Sequence, residues 1–314
     1  MTRINELKTE NIRDIRSCFY RGGIWTKNEL SDETGLSLAG TTNVLKFLQE
    51  RREILLVGKA DSTVGRKSKQ YTLNKDYAHI GTLIAQYGKD HHTFTAFASD
   101  LAGNECASVI ETDETGGMEI LDGVLRKLLE KDPLIACVCI SIPGVCASGR
   151  IEVCDIEALR NTDPGSLIRN ETGLPCVIEN DVNSACIGFS HLHPGVRNLA
   201  VLYQSYIACN GCGILIDRKL YNGFSHAAGE IHLIPFEKQT DPKDLLEKQA
   251  AALCAILNPE YIGYYSEDIS GDPDLSRFNI PSSQLPKLER INDFYATVQK
   301  GLISIGINNL LKKD

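Results

Sequence analysis

The first 75 residues of this 314-residue chain carry an ordered set of helix signals that few folds can accommodate. Apolar residues recur at helical spacing over 4–20, which is typical of an amphipathic helix, and Gly22-Gly23 should end that helix. A second helix is predicted at about 26–34, because Thr26 and Glu29 have the spacing of a capping box at its start.

A third helix is predicted from about 37 to 52, after a tight turn at Gly35. Its buried face would consist of Leu38, Thr41, Leu45 and Leu48. Two strands follow, EILLV and KQYTL, and the basic segment GKADSTVGRKS joins them as a wing. This order predicts a winged helix-turn-helix that binds DNA. The side chains expected at a duplex are Ala39, Thr42, Asn43, Lys46, Arg66, Lys67 and Lys69.

Charge divides the chain at the same place. Residues 1–75 contain 14 Lys/Arg and 9 Asp/Glu, a balance of +5, whereas the whole chain carries −8, which leaves −13 for the remainder. A basic segment joined to an acidic one indicates that only the first part binds a polyanion. The alternative for residues 1–75 is a small helical domain for protein interaction or dimerisation, with a solvated basic rim.

Composition is that of a globular protein without a membrane span. With 42% hydrophobic residues, the chain can bury a large core in two or three domains. No apolar run approaches the roughly 20 residues that cross a bilayer, and no signal-peptide pattern is present, so we expect a cytoplasmic protein. The 11 cysteines should then be reduced. The pair Cys209-x-x-Cys212 has no partner pair at zinc-site spacing, which favours a structural role over a metal or redox role.

From residue 77 onward, strand and helix patterns alternate, which predicts α/β lobes with helices covering central sheets. The predicted strands are AHIGTLIA next to TFTAFAS, then LIACVCISI, PCVIE, and a further pair formed by LAVLYQS and GILIDRKLY. Helices are predicted at about 117–131, 164–171, from 181 onward, 243–257 and 297–312. A short polar segment, NKDYAH (74–79), joins the two parts.

Four segments of the larger part resemble the successive signatures of the ROK family (repressor, open reading frame, kinase). They are ISIPGV (140–145), GLPCVIENDVNSACIG (173–188), LIDRKLYNGFSHAAGEIHLIPF (215–236) and LNPEYI (257–262). Their order matches, and the resemblance covers nearly the whole chain. It implies a two-lobed, actin-like (ribonuclease H-like) fold that binds a sugar between its lobes. The family's transcriptional members carry a winged helix-turn-helix in front, as this chain does, whereas its kinases usually lack one.

The resemblance also implies a sugar site. Asn180 and Asp181 match the Asn-Asp pair of that site, and in the kinases this Asp is the general base. Glu230 matches a second acid that contacts the sugar, and His232 lies two residues later, out of register with the family's His. A carboxylate beside an amide can also hold vicinal hydroxyls without chemistry. The alternatives are an N-cap role for Asp181 and a lobe-stabilising hydrogen bond for Glu230.

Against the family's pattern, the phosphotransfer devices of the kinases are missing. Where the kinases have an Asp-x-Gly-Gly-Thr loop, this chain reads LIAQYGKDHH (83–92), with Leu83 in place of the acid. The Gly-Thr-Gly-rich turn reads YIACNGCG (206–213), and the glycine run after Asn-Pro-Glu reads YIGYYSED (261–268). Because phosphoryl transfer depends on positioning and charge neutralisation, we expect no kinase activity and no catalytic residue.

The structural zinc site that the resemblance would imply is also missing from the sequence. Leu233 takes the place of the family's His after Gly229-Glu230, and no cysteine occurs between Phe236 and Cys254. No metal and no cofactor are therefore expected.

The sequence predicts a DNA-binding transcriptional regulator, a repressor of sugar metabolism. Residues 1–75 would be the winged helix-turn-helix domain, and residues 76–314 the two-lobed, kinase-like domain that senses a sugar or sugar derivative. The sugar would favour one angle between the lobes and so change the spacing of two winged helices in a homodimer or a dimer of dimers. Two alternatives are an ATP-dependent sugar kinase with divergent phosphate loops and a regulator that no longer binds sugar.

Overall fold

The computed structural model describes residues 3–60, 68–147, 149–205, 210–236 and 241–312. The proposed wing residues Arg66 and Lys67 lie outside these ranges, as does Cys209.

The N-terminal unit combines three helices with a small antiparallel sheet. Its elements are α1 (Arg3–Tyr20), β1 (Ile24–Thr26), α2 (Lys27–Thr34), α3 (Leu38–Glu50), β2 (Ile54–Ala60) and β3 (Ser68–Leu73). The strands lie in the order β1-β3-β2, and β1, which the sequence patterns did not predict, pairs with β3. A separate apolar core formed by α1, α2, α3 and the sheet holds this unit together.

Local signals in the sequence account for the helix boundaries here. Thr26 caps α2, and both hydrogen bonds of the capping box with Glu29 are present. Gly35 ends α2 with a φ of 71°, the left-handed backbone expected at this turn. One prediction is wrong: Leu38 is 49% exposed, because it is the first residue of α3 and lies beyond the core, and Val44 is buried on this face instead.

The first lobe is built on a five-stranded sheet. Its elements are β4 (His79–Gln86), β5 (His92–Ser99), β6 (Glu105–Asp113), α4 (Met118–Lys131), β7 (Ile135–Ile142), β8 (Gly144–Ala147), β9 (Arg150–Cys154), α5 (Pro164–Thr172) and β10 (Cys176–Asn180). The strand order is β10-β7-β4-β5-β6, with β7 parallel to both of its neighbours, and β8 and β9 form a separate hairpin.

The second lobe has its own five-stranded sheet. Its elements are α6 (Asp181–Ser190), β11 (Leu199–Gln204), β12 (Gly211–Ile216), β13 (Lys219–Leu220), α7 (Pro242–Leu257), β14 (Tyr261–Ser266), β15 (Lys287–Arg290) and α8 (Phe294–Leu311). The strand order is β13-β12-β11-β14-β15. The segment GILIDRKLY is two strands rather than the one predicted, because Asp217 and Arg218 adopt positive φ and turn the chain back on itself.

Helices α6 and α8 pack against each other between the two sheets. Their close approach requires glycine: a Cβ at Gly188 would lie 2.0 Å from the carbonyl oxygen of Thr297, and one at Gly301 would lie 1.8 Å from that of Ser184. The core around them is lined by Ile80 and Cys139 of the first sheet and Val201 of the second. This core joins the two lobes below the cleft that separates them.

The predicted architecture is confirmed: an α/β chain with a winged helix-turn-helix unit followed by two actin-like lobes. Cys137, Cys139 and Cys254 are buried, and Cys176 is half-buried, as expected for thiols in apolar runs. Within the described ranges, no helix has the length and apolar character needed to cross a membrane.

Candidate functional site

A polar cavity of about 130 Å³ lies in the cleft between the lobes. Pockets for drug-sized ligands are larger, roughly 300–1,000 Å³, so this cavity suits a ligand smaller than a typical drug. Its walls come from the ends of β7, β9, β10 and β11, from the turn at 229–232 and from the start of α8. All four proposed ligand-binding residues, Asn180, Asp181, Glu230 and His232, line it.

Asn180 joins strand β10 to helix α6. Its Oδ1 accepts a hydrogen bond from the backbone N–H of Asn183 (2.9 Å), which makes Asn180 the N-cap of α6. Its Nδ2 donates to the carbonyl oxygen of Gly144 (2.9 Å) and so ties the helix to β8. The alternative in which Asp181 is the cap is wrong, since Asp181 is already the first residue of the helix and Asn180 makes the capping bond.

Asp181 is a buried carboxylic acid facing the cavity. Its side chain accepts a hydrogen bond from the N–H of Val182 (2.8 Å), and the residue is only 8% exposed. Burial, together with the nearby charges of Asp155 and Glu230, raises the pKa of Asp181 to about 7. The buried carboxylate has lost its hydrogen bonds to water. Hydroxyl groups of a ligand could donate hydrogen bonds to it in place of that water.

Glu230 and His232 lie on the turn that closes the cavity from the second lobe. Gly229 has a φ of +94°, and its carbonyl oxygen accepts from the N–H of Cys212 (2.8 Å), which fixes the turn against β12. A Cβ at Gly229 would lie 1.7 Å from the Cys212 carbonyl oxygen, so only glycine fits. Nδ1 of His232 lies 3.2 Å from Oε2 of Glu230. Burial raises the pKa of Glu230, and His232 partly offsets that effect.

Three further polar residues of the cavity were missed by the sequence analysis. Asp155 follows strand β9, and Tyr203 and Tyr295 approach from β11 and α8. Tyr203 and Tyr295 lie close enough for each side chain to affect the pKa of the other. None of the three lies in a segment that resembles a ROK signature. The only indication in the sequence is their position at the end of a strand or the start of a helix, where α/β folds place ligand sites.

Aromatic and apolar side chains occupy positions where the family's kinases have phosphate-binding residues. Leu83 is fully buried in the apolar core of the first lobe. Tyr265, from the segment YIGYYSED, stacks on Tyr203 with ring centroids 5.7 Å apart and an interplanar angle of 8°. Phe294 packs on both rings, at 4.4 Å and 5.4 Å. Residues 206–209 of the remaining loop lie outside the described ranges, and Asn210 and Gly211 line the cavity.

The proposed DNA-contacting residues of α3 share one exposed face. Ala39, Thr42, Asn43 and Lys46 are all exposed, and their spacing of three or four residues places them along one side of the helix. Lys46 lies 3.7 Å from Glu50 and is 76% exposed, so its ammonium group is available to a phosphate. Lys69 is exposed on β3.

An ion-pair network connects the N-terminal unit to the first lobe. The guanidinium of Arg16 forms a buried, bidentate salt bridge with the carboxylate of Glu53 (2.8 Å and 3.1 Å). Arg51 donates to the same carboxylate (2.7 Å) and to the hydroxyl of Tyr77 (3.2 Å). The backbone N–H of Asn74 donates to the Glu53 carbonyl oxygen (2.9 Å). Glu53 thus fixes the N-terminal unit to the segment 74–79 that connects it to the first lobe.

Sequence comparison relates the chain to sugar-linked regulators. The ROK family model matches residues 85–254. A xylose repressor of Caldicellulosiruptor bescii is 25% identical over 218 residues, which cover 66% of this chain and 54% of the repressor. The chain therefore spans about half the length of this curated relative.

Comparison of structures gives the same fold. A crystal structure of a ROK family transcriptional regulator, a homologue of the Escherichia coli MLC protein, has a TM-score of 0.71 at 14% identity and covers 96% of this chain and 99% of its own. A ROK hexokinase of Thermus thermophilus has a TM-score of 0.54 at 13% identity and covers 74% of this chain and 100% of its own. The regulator thus aligns with more of the chain than the hexokinase does.

Proposed function

The chain belongs to the ROK family, and from that premise we propose that it is a DNA-binding transcriptional repressor controlled by a sugar. The observation that carries the proposal is the presence in one chain of a winged helix-turn-helix unit and a polar interlobe cavity. The xylose repressor relative and the fold shared with a ROK regulator over 96% of the chain support it.

We assign DNA binding to residues 1–75 and ligand binding to residues 76–314. The separate core of the N-terminal unit supports this boundary, as does the exposed face of α3 that carries Ala39, Thr42, Asn43 and Lys46. The net charge of +5 in the first part favours the approach of a duplex, and the −13 of the second part opposes it.

The effector is an uncharged, unphosphorylated sugar. Three carboxyl groups, those of Asp155, Asp181 and Glu230, surround the cavity, and no Lys or Arg occurs among the described residues that line it. Sugar phosphates and nucleotides would meet this negative field without a Lys or Arg side chain in the described lining to bind their phosphates. Neutral hydroxyls can donate to the carboxylates, which supports a sugar of the kind named for the xylose repressor relative.

The same residues argue against phosphotransfer. A kinase must hold a triphosphate and its metal, and loops rich in backbone N–H groups do this in ROK kinases. Here Leu83 is in the apolar core, and Tyr265 stacks with Tyr203 and Phe294 at the edge of the cavity. Those groups offer no compensation for phosphate charge, so positioning and electrostatic stabilisation would both be lost.

The sugar acts by bridging the lobes. Asn180 ends β10 and Asp155 follows β9 in the first lobe, whereas Glu230 and His232 belong to the turn next to β12 in the second lobe. A sugar bound to both groups stabilises one angle between the lobes, and it shifts DNA affinity only by its preference for that angle. In a homodimer, or in a dimer of such dimers, the angle sets the spacing of two α3 helices on the operator.

The test selects binding sequences for the full-length protein from a fragmented genomic library and measures affinity by fluorescence anisotropy. We expect one neutral sugar in a panel headed by xylose to change operator affinity by about fivefold or more, and its phosphate ester to have no effect. A protein that selects no sequence contradicts the DNA-binding assignment. A protein whose operator affinity no sugar changes contradicts the sensor assignment. Sugar-dependent ADP release that is absent in Asp181→Ala would replace the proposal with the kinase alternative.

A further inference from the structure

A histidine, a cysteine and aspartates meet at the joint between the N-terminal unit and the first lobe, and none of them lines the interlobe cavity. His79 begins β4, Cys106 lies near the start of β6, and Asp132 follows α4. One candidate ligand atom from each lies within 4.8 Å of the other two. Asp76, in the connecting segment, has Oδ1 3.9 Å from His79 Nε2.

The imidazole of His79 is oriented on one side and has no partner on the other. Its Nδ1 is hydrogen bonded to Oδ2 of Asp132 (2.6 Å), and both side chains are 7% exposed. Its Nε2 is buried and makes no hydrogen bond in the described structure. A carboxylate bound to one ring nitrogen while the other remains available is the arrangement that holds metal-ligating histidines in place.

Cys106 is exposed at an irregularity of the sheet. Strand β5 pairs Ala98 with Ala107 and Ser99 with Glu105, so Cys106 is the extra residue of a β-bulge. Bulges redirect side chains and are common beside functional sites. Partial desolvation raises the pKa of the Cys106 thiol, and the charges of Asp100, Asp132 and Asp76 add to that effect. Lys75 forms a 3.2 Å ion pair with Asp100 and also interacts electrostatically with Asp76, so Asp76 and Asp132 supply the remaining negative charge at this site.

We propose that His79 Nε2, the Cys106 thiolate and the Asp76 carboxylate bind a zinc ion, and that Asp132 orients the histidine ring. Imidazole, thiolate and carboxylate form a ligand set that zinc accepts and that magnesium and calcium do not prefer. Two ligands of a tetrahedral zinc lie roughly 3.3–3.7 Å apart. Asp76 Oδ1 lies 3.9 Å from His79 Nε2, and the Cys106 sulfur lies within 4.8 Å of a ring nitrogen of His79, so rotation of the exposed Asp76 and Cys106 side chains must bring the three groups to one ion.

This site is unrelated to the zinc site that the family resemblance implies after Gly229-Glu230. Its position gives it a distinct consequence, since Asp76 lies between Asn74, which is bonded to Glu53, and Tyr77, which is bonded to Arg51. A metal held by Asp76 and by the first lobe would fix the connecting segment and with it the orientation of the N-terminal unit.

Zinc affinity of the full-length, metal-stripped protein tests the proposal. Competition with a chromophoric chelator gives the affinity, and cobalt substitution gives a sulfur-to-metal charge-transfer band if a thiolate is a ligand. We expect Cys106→Ser and Asp76→Asn each to lower the zinc affinity at least about tenfold and Cys106→Ser to remove the cobalt band. Both side chains are largely exposed, so the variants should fold, and thermal unfolding without metal checks this.

The matched control is Cys146→Ser, which removes a half-buried thiol elsewhere in the first lobe and should keep full zinc affinity. Zinc should also raise the unfolding temperature of the wild type but not of Cys106→Ser, and magnesium should raise neither. Equal zinc affinities of the wild type and Cys106→Ser would overturn the proposal, as would the absence of any tight zinc binding. Neither result bears on DNA or sugar binding.

Discussion

Asp181 is held where ionisation is costly. The carboxyl is buried at the start of α6, and Asp155 and Glu230 add to the effect of burial on its pKa. Its value of about 7 compares with 3.8 for a solvated aspartate. Between these values the folded protein holds a proton that the unfolded chain releases. The neutral acid therefore favours the folded state at low pH, and this contribution is lost as the pH rises through 7.

Replacing Asp181 by Asn should therefore stabilise the protein at alkaline pH while removing the sugar response. Asn mimics the neutral acid, and one pH unit of pKa change corresponds to about 1.4 kcal/mol. The free energy of unfolding of Asp181→Asn should exceed that of the wild type at pH 8, by a few kcal/mol at most, and the difference should shrink toward zero near pH 4. Urea unfolding at both pH values measures it. Glu157→Gln, at an exposed acid, is the control and should show no such trend.

A constant difference at both pH values would mean that the carboxyl of Asp181 is solvated rather than buried. Retention of the sugar response in Asp181→Asn would remove this residue from the ligand site. The first result concerns the environment of the residue and the second its role, so the two can fail separately.

At the residue scale, sequence signatures led to Asn180, Asp181, Glu230 and His232, and the fold places all four on one cavity. The signatures did not lead to Asp155, because one acid after a strand has no distinctive spacing. The alternative in which Asp181 caps α6 is wrong, because Asn and Asp are equally good N-caps and only the start of the helix shows that Asn180 makes the bond.

Substitutions on the exposed face of α3 can distinguish residues that contact bases from residues that contact phosphates. Lys46→Ala should weaken duplex binding for all sequences and reduce the slope of log K against log salt by about one unit, since one phosphate contact is lost. Asn43→Ala should leave that slope unchanged and weaken the operator by about 1–3 kcal/mol relative to other sequences. Binding isotherms at several salt concentrations, on operator and scrambled duplexes, measure both effects.

Gln49→Ala is the control, because Gln49 is exposed on the same helix but near its C-terminal end. If Gln49→Ala weakened binding as much as Asn43→Ala, the N-terminal half of α3 would not be the part that reads the bases. An unchanged salt slope in Lys46→Ala would show that its ammonium group does not contact a phosphate.

At the element scale, most helices and strands followed from caps, glycines and hydrophobic periodicity. The helix α2 is an example, since Thr26, Glu29 and Gly35 act within a few residues of its ends. The errors lie where periodicity continues past a local constraint. Leu38 fits the apolar pattern of α3 but lies beyond the core, and the turn at Asp217 and Arg218 divides the segment GILIDRKLY into β12 and β13.

Across the whole molecule, the sugar signal that we propose would pass through the joint between the lobes and the N-terminal unit. At this joint, the hydroxyl of Tyr77 accepts a hydrogen bond from Arg51, and Arg51 also forms an ion pair with Glu53. Tyr77→Phe keeps the ring and its packing but removes this link. We expect the variant to bind operator and sugar separately with near wild-type affinity, while the change in operator affinity caused by the sugar falls at least about threefold.

Anisotropy titrations with and without sugar give this coupling, and thermal shift gives sugar binding alone. Tyr221→Phe is the matched control, because Tyr221 is exposed and lies outside both the cavity lining and the joint. Unchanged coupling in Tyr77→Phe would exclude this hydrogen bond from the path of the signal. Loss of operator binding itself would indicate that the bond stabilises the N-terminal unit rather than transmitting the effect of the sugar.

Short-range patterns in the chain were enough to predict the winged unit and the alternation of strands and helices, because caps, turns and periodicity act between neighbouring residues. The segments of the candidate sugar site followed instead from the resemblance to the ROK family. Contacts between distant positions emerged from folding alone. Examples are the aromatic stack of Tyr203 and Tyr265, the buried pair of Arg16 and Glu53, and the approach of His79 to Cys106. The physical reason is that burial, charge proximity and pKa depend on which elements pack together, and no local spacing encodes that packing.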